Sequence, residues 1–431
     1  MDLIVGASGN LRGTVRVPPN KSHSFRALIM ACLAEGRSRI IAPALSSDWM
    51  RGTEAMEMLG ACVEPGSEGS WEIIGAGGRL RVPDDVINCG NSGIIFRFFT
   101  ALAASVDGYT VLSGDESIRH IRPCGPLLDA LNQLGAFAVS TKGDAHAPVI
   151  VRGPLKGGSA RIDGADSQPV SALLMAGALA DGAIELNVDN PGEKPWIDVT
   201  LHWLRRCGVK VENENYSRYR IAGRQRWGGF EARMPGDWSA ALYPIVAGLI
   251  CPGSEVRVAG VDRDDVQGDK AVLDVLRSMG ARIEIAADGT VIARSSRLAG
   301  RTIDCNDFVD QFMLLAVVGA LAEGETTLTN AEICRHKECD RIHEMFAALQ
   351  AMGAQVEERP DGLVLRRSKL HGARLDSRSD HRMVMTLSLA GMAADAQTAI
   401  TDIECVKKTF PHYVEAMSNI GCDMSRSSLT Q

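Results

Sequence analysis

A helical pattern that ends in glycine and passes into a short apolar strand recurs six times along this chain, at intervals of roughly 70 residues. The glycines are Gly60, Gly135, Gly208, Gly280, Gly353 and Gly421. Each stands where the C-terminal cap of a helix needs a left-handed residue. The interval is too long for a solenoid unit and suits a small α/β subdomain. Chance is the alternative, because helix, glycine and strand often follow one another in α/β proteins, but the even spacing argues against it.

Six subdomains predict two groups of three. Two segments that contain proline, residues 15–20 and 233–237, would carry the chain between the groups. A chain that starts in one domain, builds three repeats in another and then returns would have an N-terminal lobe at 19–233 and a discontinuous C-terminal lobe at 1–18 and 234–431. The expected geometry places the ligand between the lobes, with the crossings acting as hinges.

The composition limits the class of protein. Lys and Arg number 46 against 53 Asp and Glu, so the net charge of -7 argues against nucleic acid or anionic membranes as partners. Any positive site must therefore be local. The longest apolar run, residues 243–250, is too short to span a membrane, and the N-terminus shows no secretory signal. We expect a cytoplasmic protein.

The cysteines predict neither a disulfide framework nor a metal site. Eleven are scattered singly through the chain without a C-x-x-C pair, a pattern that fits reduced thiols. Cys334 and Cys339 flank His336, but this group lacks the second ligand pair of a zinc site. The sequence therefore predicts no metal.

Local clusters of basic residues could bind an anionic substrate. Lys21 and Arg26 lie around the start of a helix predicted over residues 24–34, where free N–H groups and the helix dipole favour an anion. A helix with a basic first turn is the alternative. Residues 91–93 form a second loop-to-helix turn, which taken alone is common. Arg122 could grip a carboxylate or phosphate through two parallel hydrogen bonds.

Two carboxylates are candidates for proton transfer. Glu338 stands between Lys337 and Arg341, two cations expected to depress its pKa. It is either an ion-pair partner alone or a group that transfers protons. Asp310 precedes an apolar helix predicted to begin near Phe312, and its alternative role is to cap that helix.

Seven short motifs, each weak alone, occur in a specific order. They are Asn20-Lys21-Ser22-x-Ser24-x-Arg26-Ala27, Gly90-Asn91-Ser92-Gly93-x3-Arg97, Arg122-Pro123, Ser167-Gln168, Lys337-Glu338-x-Asp340-Arg341, Asp380-His381-Arg382-Met383 and Lys408-Thr409-Phe410-Pro411. With this set the chain resembles the 5-enolpyruvylshikimate-3-phosphate synthase family from Pro19 to Tyr413. The resemblance implies the two-lobed α/β enolpyruvyl transferase fold, with three βαβαββ-like repeats in each lobe and the active site in the cleft between the lobes.

The resemblance also implies an activity. Enzymes of this family transfer the enolpyruvyl group of phosphoenolpyruvate to the 5-hydroxyl of shikimate 3-phosphate and release phosphate, a step toward chorismate and the aromatic amino acids. The implied partners are these two small molecules, the implied enzyme is a monomer, and neither a metal nor another cofactor is needed.

Site residues follow from the same resemblance. The implied catalytic residues are Lys21, Asp310, Glu338 and His381. The implied ligands of shikimate 3-phosphate are Lys21, Ser22, Arg26, Ser167, Gln168, Trp196, Asp310 and Lys337. The implied ligands of phosphoenolpyruvate are Lys21, Asn91, Gly93, Arg122, Gln168, Arg341, Arg382 and Lys408.

The chain departs from the family pattern where the acceptor phosphate is expected. Asp166 and Glu193 stand where many members have serine. Two carboxylates beside a phosphate would repel it unless they turn away or are paired, with Lys194 or Lys337 as the expected partners. Ile333 also stands where asparagine is common.

A second departure concerns the turn after Gly93. The family usually has threonine and proline where this chain has Ile94 and Phe98. These bulky groups would shift the helix that carries Gly93 and crowd the phosphoenolpyruvate pocket. We therefore expect weak inhibition by glyphosate.

Three alternatives remain in view. The sister family that uses UDP-N-acetylglucosamine has a cysteine five residues before the Arg-Pro pair, but here that residue is Ser117. A relative acting on a different or unphosphorylated acceptor is the better alternative. A catalytically inactive binding protein is the third, and the intact Lys21, Asp310, Glu338 and Lys408 argue against it.

Overall fold

The computed structural model describes residues 1–427. The chain divides into two compact units. The inserted unit comprises residues 19–234, and the discontinuous unit comprises residues 1–18 together with the chain from 235 onward.

The helices of the inserted unit are α1 (Lys21–Leu33), α2 (Ser47–Met58), α3 (Gly93–Ala103), α4 (Glu116–His120), α5 (Gly125–Gln133), α6 (Ser167–Gly177) and α7 (Lys194–Arg206). Those of the discontinuous unit are α8 (Trp238–Ile250), α9 (Val272–Ser278), α10 (Phe312–Leu321), α11 (Arg341–Ala351), α12 (His381–Met392) and α13 (Tyr413–Ser418). Short 3-10 helices also occur in the discontinuous unit, at Gly268–Ala271, Asn306–Gln311, Glu332–His336 and Ile403–Lys408.

The chain begins with β1 (Asp2–Val5) and β2 (Arg12–Arg16) of the discontinuous unit. The inserted unit contains β3 (Arg37–Ile41), β4 (Cys62–Pro65), β5 (Ser70–Ile74), β6 (Ile87–Asn88), β7 (Tyr109–Ser113), β8 (Phe137–Ser140), β9 (Val149–Arg152), β10 (Gly158–Asp163), β11 (Ile184–Asp189), β12 (Val211–Glu214), β13 (Arg218–Ile221) and β14 (Glu231–Arg233). The discontinuous unit continues with β15 (Glu255–Ala259), β16 (Arg282–Ile285), β17 (Val291–Arg294), β18 (Thr302–Asp304), β19 (Glu325–Thr329), β20 (Gln355–Arg359), β21 (Gly362–Arg366), β22 (Arg374–Leu375), β23 (Thr398–Ile400) and β24 (Met424–Ser427).

These strands form six four-stranded sheets within residues 1–427, all built on one plan. The first two strands are parallel, and the third and fourth each add an antiparallel neighbour. The orders in the inserted unit are β14-β3-β5-β4, β6-β7-β9-β8 and β10-β11-β13-β12. Those in the discontinuous unit are β2-β15-β17-β16, β18-β19-β21-β20 and β22-β23-β1-β24.

The sixfold repeat predicted from glycine spacing is confirmed. Each of the six glycines lies between a helix and the antiparallel edge strand of its sheet. Their φ angles run from +74° to +111°, the left-handed region that closes a helix end and that side chains with a Cβ rarely adopt. The structure thus has the predicted α/β class, with three small repeats in each unit.

Three sheets join distant parts of the chain, one of them through the parallel pairing of β2 with β15. β14, the last strand of the inserted unit, pairs in parallel with β3, its first strand. β1 pairs antiparallel with both β23 and β24, so that Leu3 lies opposite Ile400 and Arg426. In each unit, the first strand therefore pairs with the last strand of the same unit.

Buried helices form the core of each unit. In the discontinuous unit α8, α10 and α12 pack on one another, and every residue of α12 is buried. In the inserted unit α3 is buried along its whole length and packs on α6. Because such helices are apolar on all sides, their polar residues concentrate at the first turn, where backbone N–H groups need acceptors. The sequence motifs lie at these helix starts.

The start of α1 differs from the prediction. The helix begins at Lys21 rather than at residue 24. Asn20 is its N-cap, and the Asn20 side chain accepts a hydrogen bond from the His23 backbone N–H at 2.7 Å. Lys21 and Ser22 therefore belong to the first helical turn.

The eleven cysteines, all within residues 1–427, form no disulfide with one another. No helix in this described part of the chain is long and apolar enough to cross a membrane. Over the same residues, no group of three or more His, Cys, Asp or Glu side chains has the arrangement of a metal site.

Candidate active site

In the discontinuous unit, Arg341 holds three carboxylates. Its guanidinium donates from Nε to Asp380 Oδ2 at 2.7 Å, from Nη1 to Asp310 Oδ1 at 2.9 Å and from Nη2 to Glu338 Oε2 at 2.9 Å. The Arg341 side chain is 1% exposed, against 20% for Asp310 and 16% for Glu338. The two candidate carboxylates therefore lie nearer the surface than the guanidinium that fixes them.

Two further cations complete this network. Arg382 Nη2 lies 3.1 Å from Asp310 Oδ2, and Lys408 Nζ lies 3.3 Å from Glu338 Oε1. Each candidate carboxylate is thus shared between Arg341 and a second cation. The structure therefore brings together two residues predicted to transfer protons and three predicted to bind phosphoenolpyruvate. They are Asp310, Glu338, Arg341, Arg382 and Lys408.

Asp310 is not the cap of α10. It lies in the 3-10 helix Asn306–Gln311, and its side chain is engaged by the two guanidiniums. Burial by itself raises the pKa of Asp310, but Arg382 and Arg341 outweigh burial and hold the pKa below its ordinary value. Lys337 acts on it in the same direction. Asp310 is therefore ionised at neutral pH.

Asp380 is a site residue that belongs to one of the seven motifs but to which the sequence analysis gave no role. It is the N-cap of α12, and its Oδ1 accepts from the Arg382 backbone N–H at 2.8 Å while its Oδ2 accepts from Arg341. Its place before an apolar helix is a readable N-cap signal, but the contact with Arg341 is not. His381, predicted to be catalytic, is buried with Nδ1 3.6 Å from Asp380 Oδ1.

In the inserted unit, Lys21 is held by Asp48. Lys21 Nζ lies 3.2 Å from Asp48 Oδ2, and the Asp48 side chain is buried. Asp48 lies in the first turn of α2, far from every motif, so only the folded chain shows this pair.

Arg26 lies in a buried, mostly neutral environment. It donates from Nε to Thr200 Oγ1 at 2.7 Å, and from Nη1 and Nη2 to the backbone oxygens of Ser22 and Trp196, both at 3.3 Å. The guanidinium carbon stands 5.2 Å from the centroid of the Phe98 ring. Burial lowers the pKa of Arg26 to about 9. A negatively charged ligand would relieve this cost.

Two guanidiniums converge on the start of α3. Ser92 caps this helix, and Arg122 Nη1 donates to the backbone oxygen of Asn91 at 3.1 Å. A Cβ at Gly93 would lie 2.7 Å from Arg97 Nη1 and 3.0 Å from Arg122 Nη1. Glycine is therefore needed here for both cations to approach the helix N-terminus.

Arg97 links α3 to α6 and is a second residue that the sequence prediction missed. Its Nη2 lies 3.1 Å from Asp166 Oδ2, and its Nη1 donates to Gln168 Oε1 at 3.3 Å. Asp166 also caps α6 by accepting from the Gln168 backbone N–H at 2.9 Å. Arg97 is thus a partner of Asp166 that the sequence did not predict, whereas the predicted partner Lys194 lies over the Tyr216 ring.

Glu193 likewise contacts a residue that was not expected. Its Oε2 accepts hydrogen bonds from Ser167 N at 2.9 Å and from Ser167 Oγ at 3.0 Å. The ammonium of Lys194 instead lies 5.9 Å from the centroid of the Tyr216 ring. Trp196 is half-buried in the same helix.

The remaining departures from the family pattern are apolar residues in contact with the core. Ile94 and Phe98 are buried in α3, and Ile333 is partly buried against the core of the discontinuous unit.

Comparison with known proteins identifies the family. The family model described as EPSP synthase (3-phosphoshikimate 1-carboxyvinyltransferase) matches residues 5–417. The chain belongs to the EPSP synthase family. The resemblance read from the seven motifs is thereby confirmed.

Relatives of this EPSP synthase family chain carry the same name. A 3-phosphoshikimate 1-carboxyvinyltransferase of Acetivibrio thermocellus is 43% identical over 413 residues, 96% of this chain and 97% of the relative. One of Halobacterium salinarum is 42% identical over 422 residues, again 96% of this chain and 97% of the relative.

Solved structures give the same fold. EPSP synthase from Acinetobacter baumannii superposes with a TM-score of 0.83 at 27% identity, over 99% of this chain and 100% of that one. The enolpyruvyl transferase NikO from Streptomyces tendae superposes with a TM-score of 0.79 at 20% identity, over 99% of each chain. The predicted enolpyruvyl transferase fold is confirmed.

Proposed function

We propose that this protein transfers the enolpyruvyl group of phosphoenolpyruvate to the 5-hydroxyl of shikimate 3-phosphate and releases phosphate. The hydroxyl attacks carbon 2 of phosphoenolpyruvate and loses its proton while carbon 3 gains one. The tetrahedral adduct then loses a proton from carbon 3 and expels phosphate. Family membership and the name shared by its relatives support this assignment.

One observation about the site carries the proposal: Arg341 contacts both Asp310 and Glu338. We propose that Arg341 binds phosphoenolpyruvate together with Arg382 and Lys408, and with Asn91, Gly93, Arg122, Gln168 and Lys21 of the inserted unit. The reaction needs cations for the anionic substrate and two carboxylates for proton transfer. In the discontinuous unit these groups share hydrogen bonds.

The contacts of Asp310 suit a base that strengthens when substrate arrives. Arg341 and Arg382 depress the pKa of Asp310. Negative charge from phosphoenolpyruvate on the same two guanidiniums would offset their effect and raise that pKa toward its ordinary value. Asp310 would then accept the proton of the attacking hydroxyl more readily.

Glu338 is the proposed group for proton transfer at carbon 3, aided by Lys21. Its two oxygens contact different cations, Lys408 and Arg341, which fix the carboxylate plane. The network would also stabilise charge that develops in the transition state, because its dipoles are already oriented. His381, buried beside Asp380, is the fourth proposed catalytic residue.

Arg26 is the first of the residues proposed to bind shikimate 3-phosphate, the acceptor substrate. The Arg26 guanidinium contacts neutral oxygens and an aromatic ring, so the carboxylate of shikimate 3-phosphate would supply the negative partner that burial favours. The remaining proposed ligands of this substrate are Lys21, Ser22, Ser167, Gln168, Trp196, Asp310 and Lys337.

A second candidate is the same transfer to an unphosphorylated acceptor. The contact of Glu193 with Ser167 favours it, because a carboxylate stands at the residue expected to meet the phosphate. The two candidates share every proposed step at phosphoenolpyruvate and differ only in the acceptor.

The deciding experiment measures phosphate release from phosphoenolpyruvate by the purified protein with shikimate 3-phosphate or with shikimate. We expect turnover with shikimate 3-phosphate and at most trace turnover with shikimate. Preference for shikimate would replace the first candidate with the second. Turnover with neither would reject both.

Glu338→Ala separates an enzyme from an inactive binding protein. We expect the variant to lose at least about 100-fold in kcat while keeping its fold, because proton transfer typically contributes that much. Glu332→Ala, at an exposed carboxylate of the preceding 3-10 helix, is the matched control and should turn over normally. Full activity of Glu338→Ala would support the binding role.

We further propose that the protein acts in the cytoplasm as a monomer, without metal or cofactor. Residues 19–233, and residues 1–18 with 234–431, would be its two lobes. Undiminished turnover in EDTA and a monomeric mass in solution are the expected results.

A further inference from the structure

Ser167 has its hydrogen-bond donors occupied by Glu193. Ser167 is the first residue of α6, and both its backbone N–H and its hydroxyl donate to Glu193 Oε2, at 2.9 and 3.0 Å. A serine hydroxyl carries one proton, and its backbone amide carries another. While these contacts last, Ser167 has no donor to offer a phosphate.

The backbone conformation and the burial of Glu193 are both energetically unfavourable. It precedes α7 with φ +46° and ψ 39°, a left-handed conformation that residues other than glycine and asparagine rarely adopt. Glu193 is only 2% exposed, so its carboxylate has lost most of its hydration. A strained backbone that buries a charged group is a feature typical of functional sites.

The neighbouring backbone fixes the position. Gly192 N–H donates to the oxygen of Gly164 at 3.0 Å, and a Cβ on Gly192 would lie 2.8 Å from the oxygen of Ala165. The loop before α7 is therefore pressed against the loop before α6. This approach directs the Glu193 carboxylate to the N-terminus of α6, where the helix dipole also favours negative charge.

Asp166 does not take over this role. It stands beside Ser167, but its side chain is engaged by Arg97 and by the Gln168 backbone N–H. Lys194, the nearest cation in sequence to Glu193, lies over the ring of Tyr216. Among these neighbouring charged groups, Glu193 is the one bonded to both donors of Ser167.

We infer that Glu193 is a specificity-determining residue whose carboxylate competes with the phosphate of the acceptor for Ser167. The inference rests on the proposed function, in which Ser167 binds that phosphate. A doubly charged phosphate displaces the carboxylate and takes both donors. An acceptor without phosphate leaves the contact between Glu193 and Ser167 in place.

Calorimetric titration of the full chain with shikimate 3-phosphate and with shikimate tests this inference. Glu193→Gln keeps an acceptor oxygen but removes the charge, and Glu193→Ser removes the carboxylate altogether. We expect each variant to bind shikimate 3-phosphate at least about tenfold more tightly, because the phosphate then no longer has to displace charge-assisted hydrogen bonds from Ser167. Affinity for shikimate should stay unchanged.

Glu212→Gln, on the exposed strand β12, makes the same change of net charge and is the matched control. It should bind both ligands as the unaltered protein does. Unchanged affinity of both Glu193 variants for shikimate 3-phosphate would overturn the inference, as would an equal gain for shikimate or no binding of shikimate 3-phosphate by any protein.

A double-mutant cycle shows whether the effect passes through Ser167. In a Ser167→Ala protein the gain from Glu193→Gln should become smaller, because the hydroxyl is lost and only the backbone N–H of the two contested donors remains. A gain of undiminished size would mean repulsion without competition for the Ser167 hydroxyl and would overturn the inference. Turnover distinguishes this result from failure of the proposed function, since an unaltered protein that uses neither acceptor rejects the function whatever Glu193 does to binding.

Discussion

Arg341 Nη1 donates to Asp310 Oδ1 at 2.9 Å, and the same guanidinium holds Glu338 at 2.9 Å through Nη2. One buried cation thus fixes the relative position of the two carboxylates proposed to move protons. Anything that shifts Arg341, including the charge of a bound substrate, acts on both at once.

Asp310→Asn should abolish most turnover while leaving substrate binding largely intact. The amide keeps the shape of the carboxylate but cannot accept the hydroxyl proton, so we expect kcat to fall by about 100- to 10,000-fold. Steady-state kinetics measure the effect. Asp307→Asn changes an exposed carboxylate of the same 3-10 helix and should leave kcat within twofold. A normal kcat for Asp310→Asn would remove Asp310 from the mechanism.

The same side chain should contribute stability that acid removes. The pKa of Asp310 is depressed in the folded protein. Its contribution is therefore complete above the unfolded value of about 3.9 and is lost as pH falls below that toward the folded value. Melting temperatures from pH 7 to pH 3 should show the unaltered protein losing its advantage over Asp310→Asn below about pH 4. A constant difference across this range would contradict the ion pairing.

Phe98→Leu should weaken binding of the acceptor more than binding of phosphoenolpyruvate. The ring of Phe98 lies 5.2 Å from the guanidinium carbon of Arg26, the proposed ligand of the acceptor carboxylate. Loss of this contact costs about 0.5 to 2 kcal/mol, so KM for shikimate 3-phosphate should rise about 2- to 30-fold with kcat nearly unchanged. Phe99→Leu, which removes the neighbouring buried ring, is the control for lost volume. Equal effects of both substitutions would assign Phe98 to packing alone.

Glyphosate should inhibit weakly. Ile94 and Phe98 are bulky residues in the first turns of α3, the helix that starts at Gly93. The inhibition constant of glyphosate, measured in competition with phosphoenolpyruvate, should lie well above the low-micromolar range. We expect Ile94→Thr to lower the inhibition constant. Low-micromolar competitive inhibition of the unaltered protein would contradict the steric argument.

The repeat and most of the site residues could be predicted from sequence because their signals are local. A glycine such as Gly135 ends the helix that lies just before it in sequence. The Lys337–Arg341 motif likewise consists of consecutive residues that lead into the first turn of α11. The predicted start of α1 at residue 24 is three residues too late, because Asn20 is a strong N-cap and the helix begins directly after it.

What the sequence did not reveal are contacts between distant segments. Asp48 with Lys21, and Arg97 with Asp166, join residues far apart in the chain. No periodicity or spacing relates such partners, since the fold alone brings them together. For the same reason the sequence did not predict Arg97 as a partner of Asp166.

The pairing of β1 with β23 and β24 has a consequence for synthesis of the protein. Residues 2–5 leave the ribosome before the inserted unit, yet both of their neighbouring strands lie after residue 397. The inserted unit is one continuous segment and can fold while translation continues, because domains generally fold as units during synthesis. The discontinuous unit must wait until the strands after residue 397 have been made, so β1 stays without its sheet until then.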